Sequence, residues 1–230
     1  MNKKEHTRKQ LEFLFEPGDV FEVCCLKSKI TKHKIWGDEF AGRGVICGWY
    51  NDITKAVEDI SALEEQIKPE GIYVTVNPCK PELLGRANNR IKVVQSRTAD
   101  EHISRVQNFF IDIDPIKPAG ISSSVGELSF ALDKAMTLRE ELLCLGDHLF
   151  ALSGNGYHLT YKTNGSTSEE IAELLKALSK KHSDQTIGID VSVFNPARLV
   201  KAYGTTARKG DEIKTNDENE RAHRIAQVRG

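Results

Sequence analysis

Three short runs in this 230-residue chain carry side chains whose types and spacing could do chemistry together. The first is Phe109-Phe110-Ile111-Asp112-Ile113-Asp114-Pro115, whose aromatic and β-branched residues predict a strand. Alternate residues of a strand share a face, so Ile111 and Ile113 point one way while Asp112 and Asp114 point the other, roughly 7 Å apart at the backbone. Two carboxylates so placed repel each other and are costly to desolvate, and a pair of Mg²⁺ or Mn²⁺ ions would compensate them. Two such ions clamp the attacking and leaving oxygens of an in-line phosphoryl displacement. The blander expectation for the same pattern is an edge strand whose acids face water.

The second run is Ser153-Gly154-Asn155-Gly156-Tyr157-His158, set between two apolar stretches in HLFALSGNGYHLTYK, which predicts a hairpin. With the four intervening residues as the turn, Ser153 and His158 flank it on opposite strands. Glycine backbone can approach a phosphate closely, and a hydroxyl and an imidazole can donate to its oxygens. Alone, the run reads equally as a tight turn with a satisfied histidine. The third run, Gly188-Ile189-Asp190-Val191-Ser192-Val193, offers Asp190 on a strand-like stretch as a third metal ligand. Arg198 and Lys201 follow, then Arg208 and Lys209 beyond Gly204, where a metal-bridged triphosphate would need cations; a structural salt bridge is the alternative for Arg198. Acids, turn and cations together form a set suited to nucleoside triphosphate chemistry.

The elements that must position these runs are mixed. Residues 1–16 predict a basic helical lead-in, and FEVCCLK and GRGVICGWY predict strands. Ile53, Ala56, Val57, Ile60, Leu63 and Ile67 recur at helical spacing behind an Asn51 or Asp52 cap, and Pro69 and Gly71 close that helix. GIYVTVNP predicts a buried strand, and Thr98 with Glu101 a capping box for a short helix. Ser124 with Glu127, and Ser166 with Glu169, predict two further capped helices either side of the hairpin. The fold class expected is α+β or mixed α/β with at least one antiparallel pair, not a doubly wound parallel sheet.

Composition narrows the setting. A formal charge of −1 gives no global attraction to nucleic acid, so cations must act in clusters such as Lys27, Lys29, Lys32, His33 and Lys34, which reads equally as a solvated face. No apolar run is long enough to span a bilayer and no export leader follows Met1, so a cytoplasmic location is expected. Cys24, Cys25, Cys47, Cys79 and Cys144 are odd in number and lack C-x-x-C spacing, which favours reduced, mainly buried thiols.

The order of these motifs resembles the archaeo-eukaryotic primase superfamily, in its primase-polymerase branch of phage, plasmid and CRISPR-associated type. The likeness rests on Asp112 with Asp114, Ser153 with His158, and Asp190, together with YVTVNPCKPELLGRANNR and NPARLVKAYGTTARKG. It covers most of residues 40–225. The resemblance implies an α+β domain in which an RRM-like catalytic sheet, about residues 96–210, joins a smaller N-terminal α/β half, about residues 1–95, with a charged segment at 211–230. It implies that Asp112, Asp114 and Asp190 bind two Mg²⁺ or Mn²⁺ ions, and that Ser153, His158, Arg198 and Lys201 hold the nucleotide. The implied activity is template-directed DNA primase or polymerase chemistry on single-stranded DNA with dNTPs or NTPs. Two departures are visible: the Ser-to-His interval is one residue shorter than in polymerase domains of bacterial end-joining ligases, and no zinc knuckle is present.

Two other classes fit parts of the pattern. A catalytically idle RRM-like nucleic-acid-binding module would keep the sheet and the basic segments. A metal-dependent nucleotide cyclase or phosphodiesterase would use the same paired acids without a template. The charged ending at Arg229-Gly230 suggests a fragment of a longer protein carrying a helicase or CRISPR-linked module.

Overall fold

The structure, a computed structural model, describes residues 1–26, 28, 32–37, 45–163, 165–215, 217 and 219–229. Lys27, Lys29 and the Gly42-Arg43-Gly44 start of an expected strand lie outside these residues. In the first part of the chain come α1 (Lys3–Leu14), β1 (Phe21–Leu26), β2 (Val45–Tyr50), α2 (Ile53–Ala62), β3 (Gly71–Thr75) and β4 (Lys92–Val94). The middle holds β5 (Asn108–Pro115), α3 (Val125–Glu141), β6 (His148–Leu152), β7 (Tyr157–Lys162), α4 (Ser168–His182) and β8 (Ile187–Ile189). Short strands follow: β9 (Leu199–Lys201), β10 (Thr206–Ala207), β11 (Arg224–Ile225) and β12 (Gln227–Val228).

The chain divides into two compact units, Met1–Arg105 with Pro196–Thr206, and Val106–Asn195 with Ala207–Gly230. Each holds one five-stranded sheet, ordered β4-β2-β1-β3-β9 in the first unit and β12-β6-β7-β5-β8 in the second. Every pairing in both sheets is antiparallel. The architecture is thus mixed α/β on antiparallel sheets. The sequence reading divides the chain near residue 95, whereas residues 96–105 and 196–206 are part of the first unit's contacts.

In the second sheet the side-chain alternation separates two faces. Ile111, Ile113, Leu159, Tyr161, Phe150 and Ile189 share one face and are buried. α3 packs on β5 and β7, and α4 on β8, with Leu128, Ala131, Ala135 and Leu138 of α3 and Ile171, Leu175 and Leu178 of α4 turned inward. Met136 and Leu143 are exposed, because the helix ends at Glu141 and its buried stripe runs through Leu128, the two alanines and Leu138.

Helix starts follow local chemistry with two corrections. Ser124 and Glu127 form the expected capping box. The cap of α4 is Thr167 with Glu170, one residue beyond the expected Ser166 and Glu169. Thr98 caps nothing: its hydroxyl accepts from Trp49 Nε1 at 2.9 Å and its N–H donates to Glu22 at 2.9 Å, leaving only a 3₁₀ turn at Asp100–His102. The tail from 211 on, whose charge density by itself would favour loose order, contributes β12 to the edge of the second sheet through Gln227 and Val228 opposite Leu152 and Ala151. Arg221 anchors it with a bidentate pair to Glu127, both bonds 2.8 Å.

Candidate active site

Strand β5 lies between β7 and β8, and this pairing assembles the candidate site on the sheet face opposite Ile111 and Ile113. Asp112 stands directly across from His158 of β7. On the other side, the Asp190 N–H donates to the Asp112 carbonyl at 3.1 Å, one step beyond the Ile113–Ile189 pair, so Asp190 continues the same row. Residues directly opposite on paired strands share a face, which makes His158, Asp112 and Asp190 neighbours across the sheet.

Asp114 occupies the next row on the same face, opposite Gly188 on β8 and beside Gly156, just before β7. A Cβ at Gly156 would run into Asp114 Oδ1 and the Ile113 carbonyl, so a glycine there is what gives the carboxylate its place. Asp114 is exposed and Asp112 half-buried. Repulsion from Asp112 is the leading cause that pushes the Asp114 carboxyl up to about 7, with burial adding to it and His158, Lys117 and Lys209 opposing it.

His158 is buried, and its Nε2 lies 3.3 Å from Asp112 Oδ1. Its ring also meets Phe110 edge-on at 5.3 Å. Ser153 belongs to the turn itself, not to a flanking strand: its hydroxyl bonds both the N–H and the carbonyl of Gly156 at 3.0 Å. Asn155 ties the turn to the segment before α3, accepting from the Ser123 N–H at 2.9 Å and, through its carbonyl, from the Ser123 hydroxyl at 2.6 Å. Arg224 Nη1 in turn donates to the Ser123 carbonyl at 2.7 Å.

Asp190 lies just beyond the end of β8, exposed, with Oδ1 accepting from the Ser192 N–H at 2.7 Å. The structure therefore brings Asp112, Asp114, Asp190, His158 and Ser153 into one unit. Arg198 and Lys201 belong to the other unit. There the Lys201 ammonium donates to the Thr206 carbonyl at 2.9 Å and lies 5.5 Å from the Tyr73 ring, and the Arg198 carbonyl accepts from Val76 at 2.9 Å.

Sequence reasoning did not single out Ser123 and Lys117, and it gave the Gly154–Gly156 turn a role in phosphate approach without seeing that Gly156 and Gly188 neighbour Asp114. The two glycines were readable in principle, each lying two residues before His158 or Asp190, but only strand register shows that both neighbour Asp114. The three aspartates share a face without closing into a tight ligand group. Among the described residues, the group of three donors all within 4.8 Å of one another is Glu22, Cys24 and Cys47.

No protein-family model matches the chain, and no curated protein matches it. Among solved structures it is similar to the polymerase domain of Mycobacterium tuberculosis Ligase D in complex with DNA, at 11% identity and a TM-score of 0.47, over 96% of this chain and 79% of that one. At that level the likeness is too slight to bear on function. Among the described residues no helix is long and apolar enough to cross a membrane.

Proposed function

We propose that the second unit is the catalytic part of a template-directed nucleotidyl transferase, a DNA primase or polymerase in which Asp112, Asp114 and Asp190 hold two Mg²⁺ or Mn²⁺ ions. The observation that carries this reading is the register of β5 with its two neighbours, which lines up three carboxylates on one sheet face. The donor set suits the group: all-oxygen ligands are what Mg²⁺ and Mn²⁺ prefer, and the mutual repulsion of Asp112 and Asp114 asks for a cation. When bound, such ions supply charge neutralisation and activation of the attacking hydroxyl.

The chain's own residues do the rest. Asp112 and Asp114 fix the reacting end of a primer or first nucleotide against an incoming nucleoside triphosphate. His158, anchored beside Asp112, presents its imidazole to phosphate oxygens, and the Ser153–Gly156 turn holds its backbone in a shape a phosphate can approach. Lys117 and Lys209, whose fields reach Asp114, favour the polyanion on this face. Arg198 and Lys201 are proposed to assist nucleotide binding, and the sheet with α3 and α4 is read as RRM-like. Single-stranded DNA is the proposed template, and pyrophosphate the leaving group.

The test is extension of a labelled primer on single-stranded DNA with Mn²⁺ and each nucleotide set, beside the Asp112→Ala/Asp114→Ala double variant. Template-dependent products from the parent alone support the reading. Triphosphate turnover to a monomeric product without template, or DNA binding that is equal in both proteins with no product from either, would overturn it.

A further inference from the structure

Among the described residues, a tight group of three metal-type donors lies in the first sheet. Glu22 and Cys24 are two apart on β1 and share a face, and Cys47 of β2 stands directly across from Cys24. All three residues are 0% exposed, and their donor atoms lie within 4.8 Å of one another. The two sulfurs approach to 3.1 Å.

The Glu22 carboxylate is the telling feature. Its Oε2 accepts from the Thr98 N–H at 2.9 Å, while Oε1 is buried with no hydrogen-bond partner. Among the described residues no lysine or arginine pairs with it. A fully buried carboxylate beside Cys24 and Cys47, which belong to an apolar cluster with Trp49 and Cys79, is costly with one oxygen unanswered, and a cation would compensate it.

We propose that Glu22, Cys24 and Cys47 bind a structural divalent metal ion, Zn²⁺ by preference. Thiolate sulfur selects Zn²⁺ over Mg²⁺ or Mn²⁺, and a fully enclosed ligand set is the mark of a structural rather than a catalytic site. Tetrahedral geometry with Zn–S bonds of about 2.3 Å sets the sulfurs roughly 3.8 Å apart, so the pair needs to part by only about 0.7 Å. Binding releases the two thiol protons to solvent. Cys79, whose Sγ lies 3.6 Å from Thr98 Oγ1 in the same core cluster, is the further sulfur available for a fourth position. A disulfide between Cys24 and Cys47 is the rival use of the pair, but it would leave Glu22 Oε1 as unanswered as before. The inference stands apart from the nucleotidyl-transfer reading, because none of its residues belongs to that site.

The experiment uses the full chain, purified under reducing conditions, with metal content measured by mass spectrometry and then Co²⁺ exchanged in as a spectroscopic probe. About one tightly held equivalent of Zn²⁺ is expected, together with a thiolate-to-cobalt charge-transfer band that Mg²⁺ and Mn²⁺ do not displace. Cys24→Ser should weaken the band at least two-fold, and Glu22→Gln should keep it while lowering affinity about ten-fold or more. Cys144→Ser, a change at an exposed thiol, should leave it untouched. Folded, reduced parent protein with no stoichiometric metal and no thiolate band would overturn the proposal without any variant. So would a mass two hydrogens light, with two thiols missing after unfolding.

Discussion

Strand β1, central in the first sheet, and strand β5, one in from the edge of the second, carry the same device, a pair of metal-type donors two residues apart, and the fold puts them to opposite ends. On β1, Glu22 and Cys24 point into a core and are sealed from solvent. On β5, Asp112 is half-buried and Asp114 exposed, and Asp114 is flanked by Gly156 and Gly188. Period-two alternation explains the pairing in both. Burial then separates a donor set that can only hold a fixed charge from one that can meet an exchanging substrate.

Removing a donor from the open set should have the largest effect. Asp114→Asn is expected to lower primer extension on the order of a thousand-fold, as loss of charge stabilisation at a reacting phosphate does. Folding should not suffer, since the change relieves repulsion by Asp112. The sign follows from the raised carboxyl: Asp114 takes up protons more readily in the folded chain, so its ionisation costs stability as pH climbs from about 4 through about 7. Metal-free Asp114→Asn should therefore gain in Tm over the parent as pH rises across that window. A variant that unfolds instead would place Asp114 in the structural category.

The residue between the two acids should behave in the opposite way. Ile113 is fully buried on the face opposite the acids, so Ile113→Ala should cost about 3 kcal/mol in denaturant unfolding. Gly156→Ala should combine both outcomes. Its methyl group would press on the Ile113 carbonyl and Asp114 Oδ1, costing about 1–3 kcal/mol and displacing the carboxylate. A Gly156→Ala protein with normal stability would break the claim that this glycine shapes the site.

Much of this comparison was legible in the sequence because it depends on local period. The FFIDID alternation, the hairpin around Gly154–Gly156 and the Ser124–Glu127 box all rest on neighbours within a few residues, and each forms as expected. What stayed hidden depends on long-range register. That Asp190 lies beside Asp112, or that Cys47 faces Cys24, follows from which strands pair and where, and no local pattern states it. Thr98 misled because its cap-like spacing is overridden by Trp49 and Glu22, which claim its hydroxyl and N–H. The tail misled because its charge suggests disorder, whereas Arg221 and Arg224 spend theirs on Glu127 and on the carbonyls of Ser122 and Ser123.

That tail gives a smaller effect. Arg221→Ala should cost about 1 kcal/mol, the scale of a partly screened bidentate pair. Burial pushes the Glu127 carboxyl up, but the Arg221 guanidinium and the Ser124 N–H outweigh it and hold it below its ordinary value. A lowered carboxyl adds stability above the unfolded group's titration and loses it as pH falls, so the gap between parent and variant should close below about pH 4. A gap that persists at lower pH would mean that Arg221 acts through its carbonyl contact at Ser122 instead.

The smallest effect separates the sealed region from the open surface without altering either. Cys144 is exposed, while Cys24, Cys25, Cys47 and Cys79 are buried, and burial pushes the Cys25 thiol up to about 12 and the Cys79 thiol up to about 11. The thiolate is the reactive form, so a mild alkylating reagent at pH 8 should label Cys144 promptly and the other four only after unfolding. Blocking Cys144 should change neither Tm nor extension rate measurably. Rapid labelling of Cys24 or Cys47 in folded protein would show that the core of the first sheet opens to solvent, and a site that opens so readily could not keep a metal ion through purification.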